Sequence, residues 1–213
     1  MKTLFSLRLW ALLAGLLLNP AAGAADPTIL VWGDSISAGY GLDAESGWVN
    51  LLERRLQTQG RGYTVVNASV SGETTAGGLA RLPAALDRFK PDLVLLELGG
   101  NDGLRALPLD EMRANLDRMI ALTRAARARP VLFEMYIPRN YGPAYSERFT
   151  KVFGQLAQER KVPIVPFFLA ALVTEPDKWF QDDALHPNAQ AQPKLLDAAW
   201  PTLQPLLKPV THP

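Results

Sequence analysis

Apolar residues along the chain fall into two alternating patterns. Short runs rich in branched side chains occur at residues 28–32, 63–67, 92–98, 130–135 and 162–166, and each has the length and composition of a buried strand. Between them the apolar positions return every three or four residues. Trp48, Leu51, Leu52 and Leu56 share one face of a helix predicted over 47–59. Leu79, Leu82, Leu86 and Phe89 mark a helix that stops before Pro91. Met112, Leu116, Met119, Ile120 and Thr123 stripe a third helix, residues 146–158 predict a fourth, and 188–207 read as helix with proline interruptions. A polar, glycine-rich connection is expected over 72–78. Strands alternating with helices around one core predict an α/β protein, specifically a flavodoxin-like three-layer α/β/α sandwich on a five-stranded parallel sheet. Ligands of such sheets bind outside the carboxyl ends of the strands. Residues that carry chemistry are therefore expected just after strands.

The first 25 residues follow a different rule. Lys2 and Arg8 precede and flank an apolar run from Leu9 to Leu18, and Ala22-Gly23-Ala24 supplies small residues for cleavage. This reads as a signal peptide, with the mature chain starting at Ala25 or Asp26. The run is too short for the ~20 residues that cross a bilayer, so export to the periplasm, or secretion, is expected instead of membrane insertion. A single domain is expected over 26–208, followed by a short tail at 209–213.

Composition narrows the chemistry. The chain has no cysteine, which excludes a thiol nucleophile, a thiolate metal site and any disulfide framework. Removing Lys2 and Arg8 from 22 basic residues, against 21 acidic ones, leaves a net charge of about −1, which suits neither a nucleic acid nor an anionic membrane as partner. Arg124, Arg127 and Arg129 fit a solvated helix end favoured by the helix dipole.

Gly33-Asp34-Ser35-Ile36-Ser37 directly follows the first strand. A serine on that turn presents its hydroxyl at the rim of the sheet, and it equally suits capping of a helical turn. The pentapeptide is not the Gly-x-Ser-x-Gly elbow of the α/β-hydrolases, because Ser37 replaces the second glycine. A serine hydroxyl needs a neighbouring base. Of the two histidines, His212 lies in the proline-flanked tail and His186 lies in Asp182-Asp183-Ala184-Leu185-His186-Pro187, just before the last helix. One turn brings Asp183 back to the imidazole in Asp-x-x-His, where a carboxylate fixes the ring's tautomer. Asp182 is the competing acid with the poorer spacing. Donors for a developing oxyanion are available on two further loops, the backbone N–H of Gly72 and the side-chain amide of Asn101, residue types that also serve plain turns. No cofactor or metal is called for. The turn after the first strand is also not the glycine-rich loop of a nucleotide site.

Gly33-Asp34-Ser35, Gly72, the Gly99-Gly100-Asn101-Asp102 segment and Asp183-x-x-His186 resemble, in chain order, the four sequence blocks of the SGNH/GDSL hydrolases. The longer segments Gly33 to Tyr40, Val66 to Gly72, Glu97 to Leu104 and Asp182 to Pro187 are similar to the bacterial periplasmic acyl-CoA thioesterase I, lysophospholipase and arylesterase group. The resemblance implies a monomeric esterase and thioesterase acting on small acyl esters or thioesters. It implies Ser35 as nucleophile, His186 and Asp183 as its partners, and the Ser35 N–H, Gly72 N–H and Asn101 amide as the oxyanion hole. Leu104, Ile137 and Tyr141, which follow the third and fourth strands, are the candidates for an acyl-chain groove. Two alternatives stand beside this reading: an acetyl esterase with the same residues, and a non-catalytic binding protein that has kept the fold.

Overall fold

The computed structural model describes residues 26–137 and 139–207. The expected leader at 1–25, the tail at 209–213 and His212 lie outside the described residues. Each of the five branched apolar runs forms a strand: β1 (Thr28–Gly33), β2 (Thr64–Asn67), β3 (Leu93–Glu97), β4 (Arg129–Phe133) and β5 (Ile164–Val165). All neighbours pair in parallel, in the spatial order β2-β1-β3-β4-β5. Every residue of β3 is buried, as a central strand covered on both faces requires. The chain therefore reverses its direction of winding between β1 and β3, and the crevice beyond their carboxyl ends is the ligand position of a doubly wound sheet.

The helices supply the two outer layers. α2 (Trp48–Thr58) buries Trp48, Val49, Leu52 and Leu56 and packs beside α8 (Gln192–Leu203). α3 (Thr75–Phe89), α5 (Leu109–Ala125) and α6 (Pro143–Arg160) lie side by side over the other face. Trp48, Phe133 and Phe168 meet in tilted and edge-to-face contacts with centroids 5.2 to 5.8 Å apart, so one aromatic cluster ties α2 to β4 and to the turn after β5.

The structure departs from the sequence reading at short elements. α1 (Ser35–Ala38), α4 (Gly100–Leu104) and α7 (Pro176–Trp179) are helices of four or five residues, too short to show a period. α3 begins inside the expected polar connection, at Thr75. The Thr74 hydroxyl caps it by accepting from the Gly77 N–H at 3.3 Å. Glycine at 78 is what lets this turn sit on the sheet, since a Cβ there would stand 2.4 Å from Leu98 Cδ1.

Candidate active site

Where β1 ends, the backbone turns through Gly33 and Asp34 into α1. Asp34, not Ser35, does the capping: its Oδ1 accepts from the Ile36 N–H at 3.0 Å. The Ser35 hydroxyl is free to face outward, with His186 Nε2 2.9 Å from its Oγ. Beneath this turn lies a buried polar floor. The Ser37 hydroxyl donates to Glu97 Oε2 at 2.6 Å and accepts from Trp48 Nε1 at 3.2 Å, and the Asp34 N–H points to the same Glu97 oxygen at 3.3 Å. Asn67 Nδ2 donates to the Ser37 carbonyl at 2.7 Å. Glu97 is fully buried at the end of β3. Burial, and then the neighbouring Asp34 charge, raise its pKa well above the ordinary glutamate value. Asp34 is raised to about 6, chiefly by burial, against the opposing effects of the Ile36 N–H, His186 and Asn101.

The histidine is placed by a closed loop. An antiparallel bridge joins Phe180 to Pro187, and Ala184 takes a left-handed φ of 55° at the loop's tip. Asp183 Oδ1 accepts from the Leu185 and His186 N–H groups, each at 2.9 Å. Its Oδ2 sits 2.6 Å from His186 Nδ1. These backbone donors, with the His186 N–H first, lower the Asp183 pKa to about 2, so the carboxylate is ionised throughout the neutral range. Of the two candidate acids, Asp183 is the one that meets the imidazole.

The remaining two loops converge on the same place. Asn101, in α4, donates from Nδ2 to Asp34 Oδ2 at 3.2 Å, which orients its amide beside Ser35. Asp102, buried behind it, accepts from the Thr75 N–H at 2.8 Å and the Thr75 hydroxyl at 2.5 Å. Burial raises the Asp102 pKa, against the effect of those donors. This carboxylate ties the loop after β3 to the start of α3, and so to the Gly72 turn. The Gly72 carbonyl in turn accepts from Arg105 at 3.0 Å. Ser35, Gly72, Asn101 and His186 all line one cavity of about 610 Å³.

That cavity is mostly apolar. Of the candidate groove residues, Leu104 and Ile137 line it. Tyr141 stands outside the wall and supports it, its hydroxyl donating to the Leu104 carbonyl at 2.8 Å. Sequence reasoning missed the far wall, formed by Tyr136, Phe167, Leu169 and Val173. Tyr136 and Phe167 stack nearly parallel, 4.6 Å between centroids, although Tyr136 is half exposed. The aromatic residues just after β4 and β5, Tyr136 and Phe167, were the available signal. Glu97, a lone charge inside a buried apolar run, was the corresponding signal for the polar floor.

Comparison with known proteins gives the same family from several directions. A family model described as the GDSL-like Lipase/Acylhydrolase family matches residues 31–192. Esterase TesA of Pseudomonas aeruginosa is 52% identical over 184 residues, which cover 86% of this chain and 91% of that protein. Thioesterase 1/protease 1/lysophospholipase L1 of Escherichia coli strain K12 is 44% identical over 191 residues, 90% of this chain and 89% of that protein. The crystal structure of the psychrotrophic esterase EstA from Pseudoalteromonas sp., inhibited by monoethylphosphonate, is 41% identical with a TM-score of 0.81, covering 85% of this chain and 98% of that one. With the parallel sheet and the four converging loops, these similarities establish that the chain belongs to the GDSL-like lipase/acylhydrolase family of SGNH hydrolases.

Proposed function

We propose that this protein hydrolyses carboxylic esters and thioesters of acyl chains, with Ser35 as nucleophile, His186 as general base and Asp183 as the group that orients it. One observation carries the reading: the unbroken line from Asp183 Oδ2 through His186 to Ser35 Oγ, with contacts of 2.6 and 2.9 Å, opens onto an apolar cavity of about 610 Å³. Ser35 attacks the acyl carbonyl while His186 Nε2 takes its proton. The resulting oxyanion is held by the Ser35 and Gly72 N–H groups and the Asn101 amide. His186 then protonates the departing alcohol or thiol, and water repeats the cycle on the acyl-enzyme. Asp183 steadies the imidazolium formed in each half. The cavity is larger than an acetyl group needs and its walls are apolar, which favours longer acyl chains over acetyl esters.

The substrates are small-molecule acyl esters and thioesters, and the enzyme acts as a monomer. Residues 1–25 form a leader removed on export, leaving a periplasmic or secreted domain.

Ser35→Ala tests the reading with p-nitrophenyl esters of increasing acyl length and a fluorophosphonate probe. Wild type should be labelled and should turn over butyryl and octanoyl esters. The variant should lose the label and at least about 10³-fold in kcat. Full activity in the variant would overturn the assignment.

A further inference from the structure

Ser35 and His186 are 151 residues apart in the chain and sit on segments that need an independent means of staying in register. One side chain spans them. Gln181 Nε2 donates to the Tyr40 carbonyl, on the turn after α1, at 2.8 Å, and to the Pro187 carbonyl, one residue beyond the histidine, at 3.2 Å. Its backbone belongs to the histidine loop as well, the Gln181 N–H donating to the His186 carbonyl at 2.8 Å and its carbonyl accepting from Ala184 at 2.9 Å. On the other side, the Tyr40 N–H donates to the Ser35 carbonyl at 3.1 Å. The bonds thus run from His186 through Gln181 and Tyr40 to the peptide of Ser35. The chain is shaped to admit this contact: Gly41 has a left-handed φ of 72°, and a Cβ there would lie 2.2 Å from Gln181 Oε1. The Tyr40 ring also lies 4.5 Å from the His186 ring, so Tyr40 meets the histidine loop through both backbone and side chain.

We propose that Gln181 is a positioning residue that sets the Ser35–His186 separation, clamping the histidine loop to the turn after the nucleophile through its two amide hydrogens. The inference rests on the Ser35–His186 reading above. Small errors in such a separation reduce turnover steeply, because proton transfer requires hydrogen-bond distance in the reacting complex. The acyl cavity does not use Gln181 as a lining residue, so loss of the clamp acts on turnover and leaves binding in place.

The test is Gln181→Met, which keeps the length of the side chain and removes both donors, with Gln181→Asn, which keeps the amide and shortens its reach, as second variant. On p-nitrophenyl butyrate, Gln181→Met should lower kcat roughly 10- to 100-fold with KM within about twofold. Fluorophosphonate labelling of Ser35 should slow by a similar factor, and the thermal midpoint should stay within a few degrees of wild type. Gln181→Asn should fall between the two. Unchanged kcat and labelling in Gln181→Met, or in Gln181→Asn should the first variant not fold, would overturn the clamp, as would a kcat loss that only follows a collapse in stability. Ser35→Ala, assayed alongside, keeps the two ideas apart. Activity or labelling there removes the underlying reading, whereas its inactivity beside a fully active Gln181→Met removes the clamp alone.

Discussion

Asp34 and Glu97 place two carboxyl groups in the buried floor under Ser35, and their raised pKa values make them groups whose ionisation opposes folding. For an acid raised in the folded state, the folded protein holds a proton that the unfolded chain has released. Stability therefore declines as pH rises from the ordinary value of the group towards its folded one. For Glu97 that decline begins near 4.5 and extends well above it. Glu97→Gln keeps an acceptor for the Ser37 hydroxyl and the Asp34 N–H and cannot ionise. The thermal midpoint of the variant, relative to wild type, should become steadily more favourable as pH rises above about 4.5. A difference independent of pH would show that Glu97 does not carry this proton. At this scale the sequence was informative about residues with few substitutes: one usable histidine, no cysteine, and a serine directly after a strand. It was less informative about residues that act through another. That Asp34, besides its local capping of α1, also holds Asn101 is a matter of three-dimensional approach between β1 and β3, which no spacing along the chain encodes.

The elements divide the labour by strand. Ser35 and Asn101 sit at the ends of β1 and β3, Gly72 follows β2 and His186 lies on the loop before α8, while the segments after β4 and β5 build the proposed acyl wall from Tyr136, Phe167, Leu169 and Val173. Val173 is more than half exposed and borders the cavity, so enlarging it shortens the available space without disturbing the core. Val173→Trp should reduce kcat/KM for octanoyl relative to butyryl esters by about 10-fold or more, since each methylene excluded from an apolar pocket costs roughly 1–3 kcal/mol of discrimination. An unchanged acyl-length profile would place the chain elsewhere. The five strands and the long helices were legible because their periods run over enough residues to be counted. The acyl wall was only half legible: Leu104 and Ile137 border it, but Tyr141 turned out to buttress Leu104 from behind. Apart from Tyr136, which follows β4, the remainder belongs to turns after β5, where two strand residues and a four-residue helix leave no period to read.

Across the whole molecule, the site draws on both ends of the described chain, from the turn after the first strand to the loop before α8. The proposed leader adds a prediction at this scale. Intact mass of the exported protein should correspond to a chain starting at Ala25 or Asp26, and retention of residues 1–25 would contradict removal. The distance along the chain between Ser35 and His186 has a further meaning for how the enzyme comes into being. During synthesis the proposed nucleophile emerges early, yet its proposed base arrives only with the closing stretch, and the two meet only once that stretch has docked. On the proposed mechanism, a nascent or clipped chain ending before residue 186 carries the serine but not its activator, so hydrolytic activity should report on completion of the whole fold.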